Sequence, residues 1–388
     1  MLKSKFLRVN DLLNAKFMER EDVARGLVLG LLARMHVLLV GPPGVGKTDM
    51  SNTLAQTFGG NFFSWPLSSF TKDYEIFGPE IISKLVNHAV SERNTLFKLP
   101  WCHVALIDEV FKADSGLLHT LLSALNERTF HNGTKKEEIP LEFAILASNE
   151  LPPRGEDLEA VWDRIGLKYL VEPIQDEQNF LQMIRAADQG KNQNRISTLL
   201  TIEDVKAAQV EVSRVRFGED GIRMHRILRR ALLERNIFVS DRKYLQMIPL
   251  LKANAYLEGR DYVNEEDYMI LKHVLWRDYE ERDEIDELIS SLVFPHLKEI
   301  AKMEQSLAKV FKEVTRLNPG KEQMQRAEET STKFLEAMKK LNRYITHPNV
   351  PQQDKRLVHE VLERLVKMNS HLANIVLDLP YDQGEEVA

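Results

Sequence analysis

The stretch HVLLVGPPGVGKTDM, His36 to Met50, decides how the rest of the chain is read. Four apolar residues, Val37 to Val40, have the length and composition of a buried strand. They feed Gly41-Pro42-Pro43-Gly44-Val45-Gly46-Lys47-Thr48, a complete G-x-x-x-x-G-K-[ST] turn that opens a helix at about Asp49. A glycine-rich turn between a strand and a helix aims backbone N–H groups and a helix N-terminus at one point, which suits phosphate oxygens. Residues 41–49 are therefore the candidate phosphate cradle, with Lys47 reaching the β- and γ-phosphates and the Thr48 hydroxyl holding Mg²⁺.

Binding is not hydrolysis, so the next polar strand end matters. Val104 to Glu109 is an apolar strand closed by two carboxylates. Asp108 suits a Mg²⁺ ligand through water, and Glu109 suits a general base that polarises an attacking water. Asn149, in Ala147-Ser-Asn149, ends another apolar strand, where its amide can orient that water or simply make a turn. Arg164 precedes a further strand and is a candidate arginine finger, although the adjacent Asp163 equally offers a surface ion pair. Arg242 falls in the first turn of a helix, where its charge gains nothing from the helix dipole, which hints at an anionic partner. No N-K-x-D word selects guanine, so adenine and hence ATP is the expected base.

Around these words, strand signals at 37–40, 61–67, 104–107, 143–147 and 166–171 alternate with helical patterns, as in a parallel sheet covered by helices on both faces. Residues 77–97 interrupt the alternation with apolar and polar positions in turn. Residues 128–141 carry Asn132-Gly133, a strong hairpin cue. Thr201 to Asp204, Ser240 and Asn264 to Asp267 read as helix starts. From about residue 288 apolar residues fall at 3-4-3-4 steps in three runs, broken at Asn318 to Gly320 and at His347 to Pro351, which predicts a three-helix bundle. The expected organisation is a nucleotide-binding core over 1–186, an all-α lid over 187–287 and the bundle over 288–388.

Composition narrows the classes. The chain has 388 residues, 43% hydrophobic and 28% charged, and a net charge of −6. Its mean hydropathy is −0.31 and its pI is near 6.1. These values fit a water-soluble globular chain with no global pull toward nucleic acid. No apolar run reaches the roughly 18 residues a bilayer span needs. The N-terminus acquires Asp11 and Asn14 before any signal-like apolar stretch, which points to the cytoplasm. A single cysteine, Cys102, rules out an internal disulfide and reads as buried filler.

The order of these words resembles an AAA+ ATPase and, more narrowly, the MoxR family. The matching words are Glu19-Arg-Glu21, HVLLVGPPGVGKT, IFGP at Ile76 to Pro79, LIDEVFKAD at Leu106 to Asp114, LLSALNER at Leu121 to Arg128 and ASNELP from Ala147 to Pro152. FHNGTKKEEIPLEF, VSDRKY and LKHVLWRD are similar to the RavA subfamily. RavA carries a β-rich module between its C-terminal helices, for which the short breaks here leave no room. The resemblance implies an AAA+ α/β module, an all-α lid and a helical bundle. It implies Lys47 and Thr48 as Walker A, Asp108 and Glu109 as Walker B, Asn149 as sensor 1, Arg164 as a finger acting in trans and Arg242 as sensor 2. It further implies that residues 77–97 and 128–141 face the pore of a hexameric ring, fuelled by Mg-ATP. Such rings act as chaperone-like remodellers with von Willebrand factor A (vWA) domain proteins.

The leading expectation is thus a ring that remodels a protein client, with Arg164 and Arg242 reading the γ-phosphate from different rigid bodies. Two other classes stand beside it. One is a motor or loader on nucleic acid, against which the acidic pI counts; the other is a nucleotide-gated scaffold, against which Glu109 and Asn149 count.

Overall fold

The computed structural model describes residues 2–152, 159–189, 197–293, 295–346 and 352–377. The strands are β1 (Val37–Val40), β2 (Phe62–Pro66), β3 (Val104–Asp108), β4 (Thr129–Asn132), β5 (Lys135–Glu138), β6 (Phe143–Ser148) and β7 (Leu167–Leu170). Five of them form one sheet in the order β2-β3-β6-β1-β7, and every pairing in it is parallel. Every residue of β1 and β6 is buried, as a parallel sheet with both faces covered demands. In register Val40 lies opposite Ser148 on one side and Leu170 on the other. Parallel strands end together, so the loop after β1, Asp108 and Asn149 emerge along one rim.

The helices that precede the last three are α1 (Leu2–Lys16), α2 (Glu21–Ala33), α3 (Lys47–Thr57), α4 (Asp73–Phe77), α5 (Ile82–His88), α6 (Ser115–Glu127), α7 (Glu159–Arg164), α8 (Glu177–Asp188), α9 (Ile202–Arg214), α10 (Gly218–Glu234), α11 (Asp241–Glu258) and α12 (Tyr279–Val293). Leu117, Leu121 and Leu125 of α6 pack with Leu38, Ile107 and Leu146 of the sheet in one apolar core. Cys102 is buried in that core, and burial pushes its thiol up to about 12. Thr201, Ser240 and Asn264 all cap by accepting a backbone N–H three residues on. Asn264 opens the expected helix, which is a nine-residue 3₁₀ stretch, Glu265–His273.

Residues 77–97 also differ from their alternating pattern. Only a short antiparallel bridge, Glu80 with Arg93, uses it. Between them Ile81, Ile82, Leu85 and Val86 repeat at four-residue steps and form α5, a helix that buries none of its residues. The Asn132-Gly133 cue gives the β4–β5 hairpin, with Gly133 at φ 63. Buried Asn132 accepts from the Arg93 N–H at 2.6 Å and donates to the Arg93 carbonyl at 3.3 Å, which stitches hairpin and insert together.

The chain separates into two compact units, Met1–Ile289 and Ser290–Ala388. The second contains α13 (Pro295–Thr315), α14 (Lys321–Thr346) and α15 (Gln352–Val376). Its core is the predicted seam: Ile300, Leu307 and Val314 meet Ala327, Phe334 and Leu341, and Val358, Leu365 and Leu372. The break expected at 347–351 lies outside the described residues. Among those described, no helix is long and apolar enough to cross a membrane.

Candidate nucleotide site

Gly41 follows β1 so closely beside Val171 that a Cβ there would lie 2.0 Å from the Val171 carbonyl oxygen. Gly46, at φ 92, is the left-handed N-cap from which α3 starts at Lys47. Pro42, Pro43 and Gly44 arch outward and are exposed, with nothing within 4 Å of the space beside Gly44. Beneath the arch Lys47 is buried, and its ammonium donates to the carbonyls of Gly41 at 2.5 Å and Pro42 at 3.0 Å and to Asn149 Oδ1 at 3.1 Å. Burial holds its pKa below the usual lysine range, while Asp108 and Glu109 pull it back up. Three neutral oxygens thus surround a cation whose charge no bonded carboxylate cancels, under an open glycine-rich arch. That donor set fits polyphosphate oxygens.

The Thr48 hydroxyl donates to Asp108 Oδ2 at 3.0 Å, across the gap between α3 and the end of β3. Asp108 Oδ1 accepts the Glu109 N–H at 2.9 Å, and Glu109 sits at φ 54. This turn directs the Glu109 carboxylate to Asn149, whose Nδ2 donates to it, and to Lys112 Nζ at 3.3 Å. Asn149 therefore bridges the cation and the carboxylate. A hydroxyl and a carboxylate side by side suit a hard cation that keeps most of its ligands from water and phosphate. Of the residues expected here, the structure brings Lys47, Thr48, Asp108, Glu109 and Asn149 together. Asp49 points away into an ion pair with Lys16 at 2.9 Å.

Arg164 and Arg242 belong to a different corner. Arg164 is the last residue of α7, and Arg242 lies in the first turn of α11. Arg242 Nε is 3.9 Å from Asp163 Oδ2, and the Ser240 hydroxyl donates to Asp163 Oδ1. Lys243, buried, donates to the carbonyls of Trp162 at 3.2 Å and Ile165 at 2.7 Å. Asp163, expected as an ion-pair partner for Arg164, is thus engaged by Ser240 and Arg242. Both arginines lie in the compact unit Met1–Ile289, where Asp163, next to Arg164, joins Arg242 and Ser240.

Several contributors escaped the sequence reading. Lys16 of α1 bonds Asp49 and the Thr53 hydroxyl at 2.9 Å, fastening α1 to the helix of the phosphate loop. Glu19 accepts from the N–H groups of Gln175 at 2.8 Å and Asp176 at 2.9 Å, which lowers its pKa and pins the chain leaving β7. Ser240 was legible only as a cap. Lys243 stood inside the word VSDRKY with no role attached, because a lysine in a first helical turn looks like a surface residue.

Residues 4–211, more than half of the chain, match the family described as the MoxR domain in the MoxR-vWA-beta-propeller ternary systems. Residues 222–289 match the AAA lid domain. An uncharacterised protein of Methanocaldococcus jannaschii is 28% identical over 386 residues, covering 97% of this chain and 98% of its own. A second from the same organism is 33% identical over 277 residues, 71% of this chain and 72% of its own. The chaperone MoxR1 of Mycobacterium tuberculosis is 25% identical over 283 residues, 67% of this chain and 73% of its own. A solved structure of a candidate ATPase from Cytophaga hutchinsonii shares the fold at a TM-score of 0.60 and 21% identity, covering 75% of this chain and 94% of that one. With the strand-end site and the helical lid in one compact unit, the chain belongs to the MoxR family of AAA+ ATPases.

Proposed function

We propose that the protein is a Mg-ATP-dependent ring ATPase, a hexamer, that remodels a protein client together with a vWA domain protein. The observation that carries the reading is the convergence of Lys47, Thr48, Asp108, Glu109 and Asn149 on one rim of the sheet. The description of the matching family supports the vWA partner, and the name of the mycobacterial relative supports chaperone-like work. In this reading residues 1–186 are the core, 187–287 the lid and 288–388 the bundle. The reading takes the ring to be cytoplasmic, where Mg-ATP is plentiful.

Residues 41–49 would hold the triphosphate, and Thr48 with Asp108 would hold Mg²⁺. Bound Mg²⁺ supplies charge that neutralises the phosphoryl oxygens. Lys47 exchanges its neutral acceptors for phosphate oxygens, and Glu109 takes a proton from the attacking water while the Asn149 amide fixes its carboxylate. Arg164 serves the neighbouring protomer for a topological reason. It precedes the start of β7, whose Leu167 is level with Val37, whereas the phosphate loop follows the other end of β1. Sharing that corner, Arg242 works on the same neighbouring nucleotide. The stitched insert and β4–β5 hairpin would face the pore.

ATP turnover per protomer, followed against protein concentration with Mg²⁺, tests the reading. It should rise with concentration, fall about 10²- to 10⁴-fold in Glu109→Gln and about 10³-fold or more in Arg164→Ala. Turnover independent of concentration, or untouched by Arg164→Ala, removes the ring mechanism. One feature favours a nucleic-acid reading: α10 exposes Arg223, Arg226, Arg229 and Arg230. Two of these are committed, Arg223 to Glu265 at 2.8 Å and Arg230 to Glu234 at 3.0 Å. A DNA affinity falling steeply with salt would favour that second reading.

A further inference from the structure

We propose that Lys243 is a positioning residue for Arg164: together with Ser240 and Arg242 it clamps the last turn of α7, so that the arginine offered to the neighbouring protomer follows α11 of the lid. The inference rests on the reading of Arg164 as a residue acting in trans.

The last carbonyls of α7, Glu159–Arg164, lack helical partners, as at any helix end. The lid supplies what is missing. Lys243 caps the Trp162 and Ile165 carbonyls, and Ser240 and Arg242 hold the Asp163 carboxylate. On the other flank, Lys168 of β7 lies 5.8 Å from the Trp162 ring and 5.6 Å from the Trp276 ring and donates to the Val274 carbonyl at 2.6 Å. Residues 162, 163 and 165 are thus each gripped from outside α7, and Arg164 is carried between them. A cavity of about 240 Å³, lined by Trp162, Lys168, Ser240, Lys243 and Arg277 among others, lies beside the clamp. Val161 and Ile165 seat the apolar side of the turn in the core of the sheet, while its polar side is held by directed bonds from α11 next to open space, so a shift of α11 acts on that side.

The clamp also has a titration signature. Asp163, Arg242, Arg277 and Lys168 face Lys243, and burial pushes its pKa down to about 8, with Asp163 pulling it up and Arg242 and Arg277 pushing it further down. Above that pH the ammonium loses a proton, its hold on two carbonyls weakens, and turnover falls. The effect on stability has the opposite sign. Between about 8 and the free-lysine value of about 10.4 the unfolded chain binds more protons than the folded one, so this group adds stability as pH rises. A role in folding alone cannot give falling turnover in that window.

The test is complementation in mixed rings of the full-length protein. Glu109→Gln protomers keep a sound arginine but cannot turn over; Lys243→Met protomers keep a sound nucleotide site but misplace theirs. Lys243→Met alone should lose about 10- to 100-fold in kcat with KM for ATP little changed. Mixed with Glu109→Gln it should turn over ATP well above the sum of the separate proteins. Arg164→Ala mixed with Glu109→Gln is the control. If the control complements and Lys243→Met does not, the clamp is overturned while the ring reading survives; if the control fails, the ring reading falls and takes the clamp with it. Should Lys243→Met not fold, Lys243→Arg decides, because its cation persists above pH 8. Its alkaline loss of turnover should move to higher pH, and an unchanged alkaline limb overturns the proposal.

Discussion

The phosphate-loop corner and the α7–α11 corner are built from the same materials, a few charged side chains and backbone carbonyls at helix ends, yet they organise them oppositely. At the first, each group projects from the end of a buried parallel strand, and Asn149 draws Lys47 and Glu109 together from 102 and 40 residues away. At the second, a lid helix reaches across 77 to 81 residues to hold the polar groups of a turn whose Val161 and Ile165 are seated in the core of the sheet. The sheet fixes the first corner whatever the lid does. The polar bonds of the second are made only while the lid is docked, which suits a part whose setting must change during a cycle.

Removing one connector from each corner can break that comparison. Asn149→Ala frees Lys47 and Glu109 but leaves the sheet intact, so kcat should drop about 100-fold, close to 3 kcal/mol, with the thermal midpoint unchanged. Kinetics beside a melting curve check both halves, and a large loss of Tm would show that the strand-end corner is not self-supporting. Asp163→Ala should behave differently. It strips Ser240 and Arg242 of their partner, costing about 1 to 2 kcal/mol of stability and lowering turnover together. A melting midpoint that holds steady would mean the clamp does not depend on Asp163.

A buried histidine sharpens the contrast from the other end of the sheet. His36, beside β1, accepts the Ala144 N–H on Nδ1 at 3.1 Å and lies 3.0 Å from the Leu125 carbonyl on Nε2, so it is held neutral. Burial, with Arg128 nearby, pushes its pKa down to about 3. The unfolded chain then binds the extra proton between 6.5 and 3, so this contribution is complete above pH 6.5 and is lost as pH falls. By pH 5 the loss should reach about 2 kcal/mol. Thermal midpoints at pH 7 and 5 should show it, and His36→Gln should flatten the slope; an equal slope in both proteins would place the acid sensitivity elsewhere.

What was legible follows the same division. Strand, turn, carboxylate pair and terminal amide were readable because each is specified by its immediate neighbours: an apolar run fixes the strand, and the polar residue at its end has one place to go. The bundle was readable for a simpler reason, since a 3-4 seam needs only periodicity. The α7–α11 corner was not, because Ser240 looks like an ordinary cap, Lys243 like a solvated lysine, and Asp163 like a mate for its neighbour Arg164. Their meaning lies in a docking across some 80 residues that leaves no local mark. Residues 77–97 were legible only as an interruption, because alternation and a four-residue step coexist there: the first gives the Glu80–Arg93 bridge and the second gives α5.

Asp49 measures how far nearness to the site matters, and it carries the smallest expected effect. It was expected among the phosphate-cradle residues, and it sits in the first turn of α3, where the helix dipole favours a carboxylate. Its side chain is 59% exposed and paired with Lys16, whose own is 22% exposed. An ion pair that open to water contributes little, and Lys16 retains the Thr53 hydroxyl when the carboxylate is gone. Asp49→Ala should therefore leave the thermal midpoint and kcat close to those of the unaltered protein. Its trace should appear in binding: a negative charge beside a phosphate site is removed and Lys16 is left unneutralised, so ATP should bind up to about twofold more tightly at low salt, with the difference fading as salt screens it. Titration of ATP at two salt concentrations checks this. A large loss of affinity would mean that Asp49 turns from Lys16 to take part in the site when nucleotide binds.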